Sequence, residues 1–238
     1  AHGALLIVDA VTSLGGMPVN VDAWGIDACY SGTQKCLSCP PGLAPLTMSP
    51  RAIQAIRQRR TPCHSWYLDL ALIADYWNDQ SRAYHHTAPI SMLYGLREAL
   101  RLLHSDAREA RFARHRLNSE ALLAGLAILG VMPLPAAEHR LPMLNCVTLP
   151  DGIDDAVVRT QLLQQNGIEI GGGLGPLRGK VWRIGLMGES SRQAHVLTLL
   201  SALERIFVSH GWLAQPGRAV QAAVDVYTDS QLATRRSA

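Results

Sequence analysis

The chain has 238 residues, 48% of them hydrophobic and 17% charged, with a net charge of +3. That length suffices for one large domain or two smaller ones with a substantial core, and the composition is that of a globular protein, neither disordered nor fibrous. The charge is too small to imply a nucleic-acid or membrane partner, and the longest apolar runs, such as residues 4–8, are too short to cross a bilayer.

Leu5-Leu6-Ile7-Val8 is a continuous apolar run, which predicts a strand covered on both faces. The chain opens at Ala1, not Met, directly before that strand, so it reads as a fragment of a longer protein; no signal-peptide pattern precedes it. Gly15-Gly16 and Pro18 mark a loop, Ile26–Tyr30 a second strand, and residues 43–48 a third after the Pro40-Pro41-Gly42 turn. A helix runs from Pro50 to the basic cluster Arg57-Gln58-Arg59-Arg60, its solvated end. Pro89 suits the first turn of another, in which Ile90, Leu93, Tyr94, Leu96, Leu100 and Leu103 recur at helical spacing.

A further helix spans residues 106–129. There follow a strand (144–149), a helix (154–165), a strand (168–170), a glycine loop, a strand (181–186) and a helix (191–209) whose Val196, Leu199, Leu200, Leu203 and Phe207 form a core stripe. A tail helix is expected over 218–227. The pattern predicts an α/β part over 1–104 and a smaller α+β part over 105–238.

Five cysteines, odd in number and unevenly spaced, suit a reducing, cytoplasmic setting better than a disulfide framework. Cys36-Leu37-Ser38-Cys39 has no second ligand pair for zinc, and prolines follow where a redox motif wants a helix. No metal is expected at His85-His86, because adjacent side chains point apart and no acidic partner is spaced with them. Gly171–Lys180 fails the phosphate-loop pattern at Leu174 and Val181, and the dinucleotide pattern at Pro176. A flexible loop leading to Arg183 is the better account.

Asp9 ends the first strand, and Ser31-Gly32-Thr33-Gln34-Lys35 follows the second. Ligands bind beyond the carboxyl ends of strands in open α/β sheets, so both residues are placed to face one cleft. A structural ion pair is the plain reading of such a couple. The sharper reading is pyridoxal 5′-phosphate (PLP) chemistry, which needs an amine able to condense with an aldehyde and a carboxylate against the pyridine nitrogen.

Val8-Asp9-Ala10-Val11-Thr12-Ser13-Leu14-Gly15-Gly16, Tyr30-Ser31-Gly32-Thr33-Gln34-Lys35-Cys36 and Pro40-Pro41-Gly42 together resemble the class V aminotransferases of PLP fold type I. Tyr84-His85-His86-Thr87 and the stretch from Ile168 through Val181-Trp182-Arg183-Ile184-Gly185-Leu186 resemble the alanine–glyoxylate and serine–pyruvate subgroup. The resemblance implies part of a fold-type-I large domain, with a mainly parallel sheet and helices, followed by a C-terminal α+β small domain. It implies that Lys35 joins the cofactor as a Schiff base and moves a proton, that Asp9 pairs with the pyridine nitrogen, that Val11 packs on the ring, and that Gln34 lies beside the cofactor. Tyr84 and Thr87 would reach the phosphate of a neighbouring subunit's cofactor in a homodimer with shared sites, and Arg183 would clamp the substrate carboxylate.

The implied reaction moves an amino group from alanine or serine to glyoxylate or pyruvate, so the partners are small amino acids and 2-oxo acids, with no nucleic acid and no membrane. Other class V transaminases (aminoethylphosphonate, ureidoglycine or pyridoxamine type) and a non-catalytic dimerisation module are the alternatives. Cys146, in a predicted strand, argues against a desulfurase, and Arg235-Arg236-Ser237-Ala238 is not a peroxisomal tripeptide. Family members carry an N-terminal portion with a phosphate loop and a ring-stacking aromatic, so the 238-residue chain alone is expected to bind PLP poorly.

Overall fold

The computed structural model describes residues 2–77, 83–213 and 215–236. Ala1, at the expected fragment boundary, and Ser237-Ala238 of the C-terminal tetrapeptide lie outside them. The chain divides into two compact units, Ala1–Leu14 with Val19–Leu102 and Gly15–Pro18 with Leu103–Ala238.

The first unit holds a sheet of three strands, β1 (Ile7–Asp9), β2 (Ala28–Tyr30) and β3 (Leu46–Met48), in that spatial order. β1 and β2 are parallel, with Asp9 opposite Tyr30; β2 and β3 are antiparallel. The Pro-Pro-Gly segment lies in a connection without a crossover helix, so β3 returns alongside β2 in the opposite sense. A small cluster of Ala10, Ile26 and Cys29, backed by Val8, Leu14, Val19 and Val21, packs one face. The run at 5–8 is therefore not covered on both sides as its composition predicts: Ile7 is 65% exposed, and Leu5 and Leu6 precede the strand and are exposed too. The physical reason is that β1 is an edge strand whose Ile7 face carries no second layer among the described residues.

Asp27, buried beside the start of β2, ties this sheet together. Its carboxylate accepts from Leu6 N–H (2.9 Å), from Ser49 Oγ (2.9 Å) and from the Arg51 guanidinium, through Nε (3.0 Å) and Nη2. Ser49 also caps α1 (Pro50–Arg57), accepting from Ala52 N–H at 3.1 Å, with Pro50 in the first turn where no amide hydrogen is needed. α2 (Leu70–Tyr76), capped by Asp69, is absent from the sequence reading because seven residues give the 3.6 period too little length to register. α3 (Ile90–Ser105) follows Pro89 as expected.

The second unit is helices against an antiparallel sheet. Its elements are α4 (Arg108–Ile128), β4 (Met132–Pro133), β5 (Leu144–Thr148), α5 (Asp155–Asn166), β6 (Gly171–Gly172), β7 (Val181–Gly185), α6 (Gln193–Ser209) and α7 (Arg218–Arg236), with sheet order β4-β5-β7-β6. The predicted strand at 168–170 lies instead at Gly171–Gly172, where the glycine backbone pairs with Arg183 and Trp182. The tail helix runs past its expected end at residue 227. Trp182, Leu122, Leu126, Leu200, Leu203 and Phe207 form the core, and the stripe read from α6 is buried throughout.

Polar groups in this core are paired. His115 is fully buried; its Nδ1 lies 2.8 Å from the Arg111 carbonyl and its Nε2 accepts from Gly188 N–H at 3.0 Å. A carbonyl can only accept, so Nδ1 carries the proton and the ring is neutral, in line with burial pushing its pKa down. Arg114 donates to the Gly188 and Ser191 carbonyls, and Tyr227 Oη and Ser191 are joined through Asn118. These bonds hold the turn that follows β7.

The Arg51 guanidinium holds the Asp27 carboxyl well below the usual carboxylate range, aided by the Leu6 amide. A depressed folded pKa contributes stability present above the unfolded value and lost as pH falls through the folded one. Thermal melts are therefore expected to lose stability as pH drops below about 4, with a flatter acid limb in Asp27→Asn; identical limbs in the two proteins would contradict this role.

Candidate active-site residues

The carboxyl end of β1 delivers Asp9 to the surface with both oxygens oriented. Oδ1 accepts from Val11 N–H at 2.8 Å, a local turn in which the side chain stands in for a backbone acceptor. Oδ2 accepts from Tyr30 Oη at 2.9 Å. Lys35 is in neither bond, and no ion pair joins it to Asp9 among the described residues. The structural ion pair, the plain reading of this couple, is not formed.

Lys35 lies beyond the end of β2 in the loop that returns to β3, half-buried. Its backbone is fixed on both sides. Ser38 N–H bonds the Lys35 carbonyl at 2.9 Å with Ser38 in the left-handed region (φ 58°), and Cys39 N–H bonds the Thr33 carbonyl at 3.0 Å. Thr33 is fully buried and donates to the Pro40 carbonyl at 2.8 Å. Gln34 is exposed and its amide folds back over Gly32, where a Cβ would stand 2.6 Å from Oε1. Cys36 and Cys39 are buried free thiols, and Cys36 Sγ bonds the Thr12 carbonyl at 3.3 Å. Burial of both side chains, with Cys36 tied to Thr12, gives the C-x-x-C spacing a packing role.

Tyr84 and Thr87 come together: their hydroxyls are 2.7 Å apart, both residues are exposed, and the Tyr84 ring meets Tyr76 edge-on. Between them the premise that the side chains of His85 and His86 point apart does not hold. The two rings do not point apart but approach to 2.6 Å between Nδ1 atoms. His85 is buried, stacks on Trp66 at 4.1 Å, and its Nε2 lies 3.0 Å from the Trp66 carbonyl. That carbonyl accepts from Nε2–H, and a neutral His85 ring would then accept from His86 at Nδ1. Burial of the first ring against Trp66 is what turns it toward the second. No cluster of three or more His, Cys, Asp or Glu suited to a metal occurs among the described residues.

Arg183, on β7 in the second unit, is half-buried, and its Nε donates to the Gly172 carbonyl at 2.8 Å. It belongs to no ion pair among the described residues, so its two terminal nitrogens keep the fork that suits a carboxylate. The glycines beside it have a steric basis. A Cβ on Gly173 would stand 1.9 Å from the Leu177 carbonyl oxygen. The loop leading to Arg183 contains successive turns, Leu177 N–H to Leu174 O (3.0 Å) and Lys180 N–H to Leu177 O (3.1 Å). The sequence reading assigned no role to Tyr30, Trp66 or the Gly172 carbonyl. Only strand pairing puts Tyr30 beside Asp9, and periodicity carries no such signal.

Sequence comparison gives this geometry its context. The profile described as Aminotransferase class-V matches residues 1–177. The chain is 43% identical over 245 residues to the (S)-ureidoglycine–glyoxylate transaminase of Bacillus subtilis (strain 168), covering 95% of this chain and 59% of that protein. Among solved structures, a ureidoglycine–glyoxylate aminotransferase from Bacillus subtilis superposes with a TM-score of 0.89 at 47% identity, over 94% of this chain and 58% of that one. An alanine–glyoxylate aminotransferase from Nostoc sp. superposes with a TM-score of 0.83 at 50% identity, over 86% and 54%. The chain thus spans somewhat more than half the length of these relatives.

Gly173→Ala forces a side-chain carbon against a backbone oxygen that has no rotamer to yield. The substitution is expected to cost about 1–3 kcal/mol or more in urea unfolding, and a midpoint unchanged from wild type would show that the turn relaxes freely.

Proposed function

The chain belongs to the class-V aminotransferase family, and we propose that the whole protein uses pyridoxal 5′-phosphate to move an amino group from alanine or serine to glyoxylate or pyruvate. The observation that carries this reading is an oriented carboxylate, Asp9, at the end of β1 and an amine, Lys35, in the loop that follows the neighbouring parallel strand β2, which form no ion pair with one another. The donor set fits the cofactor, with a carboxylate for a ring nitrogen, a primary amine for an aldehyde, and paired hydroxyls for a phosphate.

When bound, the cofactor supplies a carbonyl for condensation and a protonated ring that withdraws electrons from the substrate carbon. Asp9 keeps the ring nitrogen protonated. Lys35 Nζ holds and moves the proton at the substrate Cα, a task helped by the fixed backbone around it. Val11 packs on the ring and Gln34 lies beside the cofactor. Tyr84 and Thr87 donate to the phosphate of a second subunit's cofactor, which makes the working form a homodimer with shared sites. Arg183 clamps the substrate carboxylate with the two nitrogens that its bond to Gly172 leaves available. We take residues 1–104 as part of the cofactor-binding domain and 105–238 as the small domain. We place the protein in a reducing, cytoplasmic compartment, on the strength of its five free thiols. No helix among the described residues is long and apolar enough to cross a membrane.

A second reading changes only the donor. The similarity to ureidoglycine–glyoxylate transaminases favours ureidoglycine, and both readings share glyoxylate as acceptor. A panel of alanine, serine and ureidoglycine against glyoxylate and pyruvate, run with the full-length protein, separates them. Transfer from alanine or serine is expected; transfer from ureidoglycine alone would reassign the donor, and no transfer from any would end the proposal. Lys35→Ala should lower kcat by at least about 10²- to 10⁴-fold, the share usually carried by proton transfer.

Arg183→Lys keeps the charge and loses the planar fork. Steady-state kinetics are expected to show kcat/KM down by about 10- to 100-fold, mostly through KM; an unchanged KM would remove Arg183 from the substrate.

A further inference from the structure

We propose that Tyr30 is a positioning residue for the ring-nitrogen carboxylate, its phenol fixing Asp9 so that a free lone pair stays available to the cofactor ring. The proposal rests on the assignment of Asp9 made above.

The parallel register of β1 and β2 makes Asp9 and Tyr30 direct partners, so their side chains leave the same face of the sheet. Tyr30 Oη donates to Oδ2 at 2.9 Å and Val11 N–H to Oδ1 at 2.8 Å. One donor on each oxygen stops rotation about the carboxylate bond. An ionised carboxylate has about four acceptor positions, so two donors leave room for a third, the ring N–H, without displacing either.

Tyr30 is 39% exposed, so packing alone does not account for a large aromatic at this strand end. Its phenol also stays a donor at neutral pH: the bond to Asp9, some burial and the nearby negative charge all push its pKa up. Removal of the O–H leaves Asp9 with Val11 alone and free to turn Oδ2 toward solvent.

The test uses the full-length, cofactor-loaded protein with Tyr30→Phe, Asp9→Asn and the double variant. Tyr30→Phe is expected to raise the cofactor dissociation constant about tenfold, to shift the pH titration of the visible cofactor band, and to lower kcat with little change in the KM of the amino donor. In the Asp9→Asn background the same change should add nothing. A further measurement needs no cofactor: the phenolate absorbance titration, with the Tyr30 step identified by difference from Tyr30→Phe, should move to lower pH in Asp9→Asn. An unmoved phenolate step, or equal losses from Tyr30→Phe with and without Asp9, overturns the proposal. So does an unaltered cofactor band in Tyr30→Phe while Asp9→Asn alters it. If Asp9→Asn itself leaves the band unchanged, the ring-nitrogen assignment is wrong and the proposal falls with it.

Discussion

The buried carboxylate of Asp27 is the constraint on which the first unit depends. It gathers an amide from the approach to β1, a hydroxyl from the cap of α1 and a guanidinium from Arg51, which also reaches the Ala4 carbonyl. The backbone agrees with it, since the amides of Asp27 and Ala28 both bond Leu6 O and Ser49 N–H bonds Asp27 O. A buried charge is tolerable only when its lone pairs are filled, and here several donors fill them. The consequence reaches the other end of the strands. A sheet slips in units of one residue, and each slip turns side chains to the opposite face. By pinning the start of β1 to the start of β2, Asp27 helps fix the register in which Asp9 stands beside Tyr30.

In the second unit the equivalent task falls to a network built round a neutral, buried histidine. His115, Asn118 and Tyr227 are buried, and they and Arg114 lock the turn after β7 to α4 and α7 without any unsatisfied buried side-chain atom among the described residues. Trp182 adds a bond from Nε1 to Asp155, which is itself held by Arg159. The neighbour of Trp182 on the opposite strand face is Arg183. Alternation along β7 thus gives Trp182 to the core and leaves Arg183 half-buried beside the Gly172 carbonyl.

The two groups of most chemical interest share a design. Asp9 and Arg183 each spend part of their hydrogen-bonding capacity on local partners, and each retains the part that faces outward. Local hydrogen bonds thus set the orientation of both groups. Tyr84 and Thr87 are held by one bond to each other and an edge-on contact of the Tyr84 ring with Tyr76.

The sequence by itself determined the family, the chemical types at Asp9, Lys35 and Arg183, and the elements long enough to carry a period, such as the buried stripe of α6. Those features are local: a strand-end residue or a heptad of apolar positions can be read from its neighbours along the chain. Only the tertiary structure decided that Asp9 bonds Tyr30 and not Lys35, that His85 turns onto Trp66, and that Gly171–Gly172 rather than residues 168–170 pairs with β7. Each of these depends on register or on contact between residues at least ten positions apart. Local propensity carries no information on such pairings, which are set by whichever arrangement fills the buried donors and acceptors.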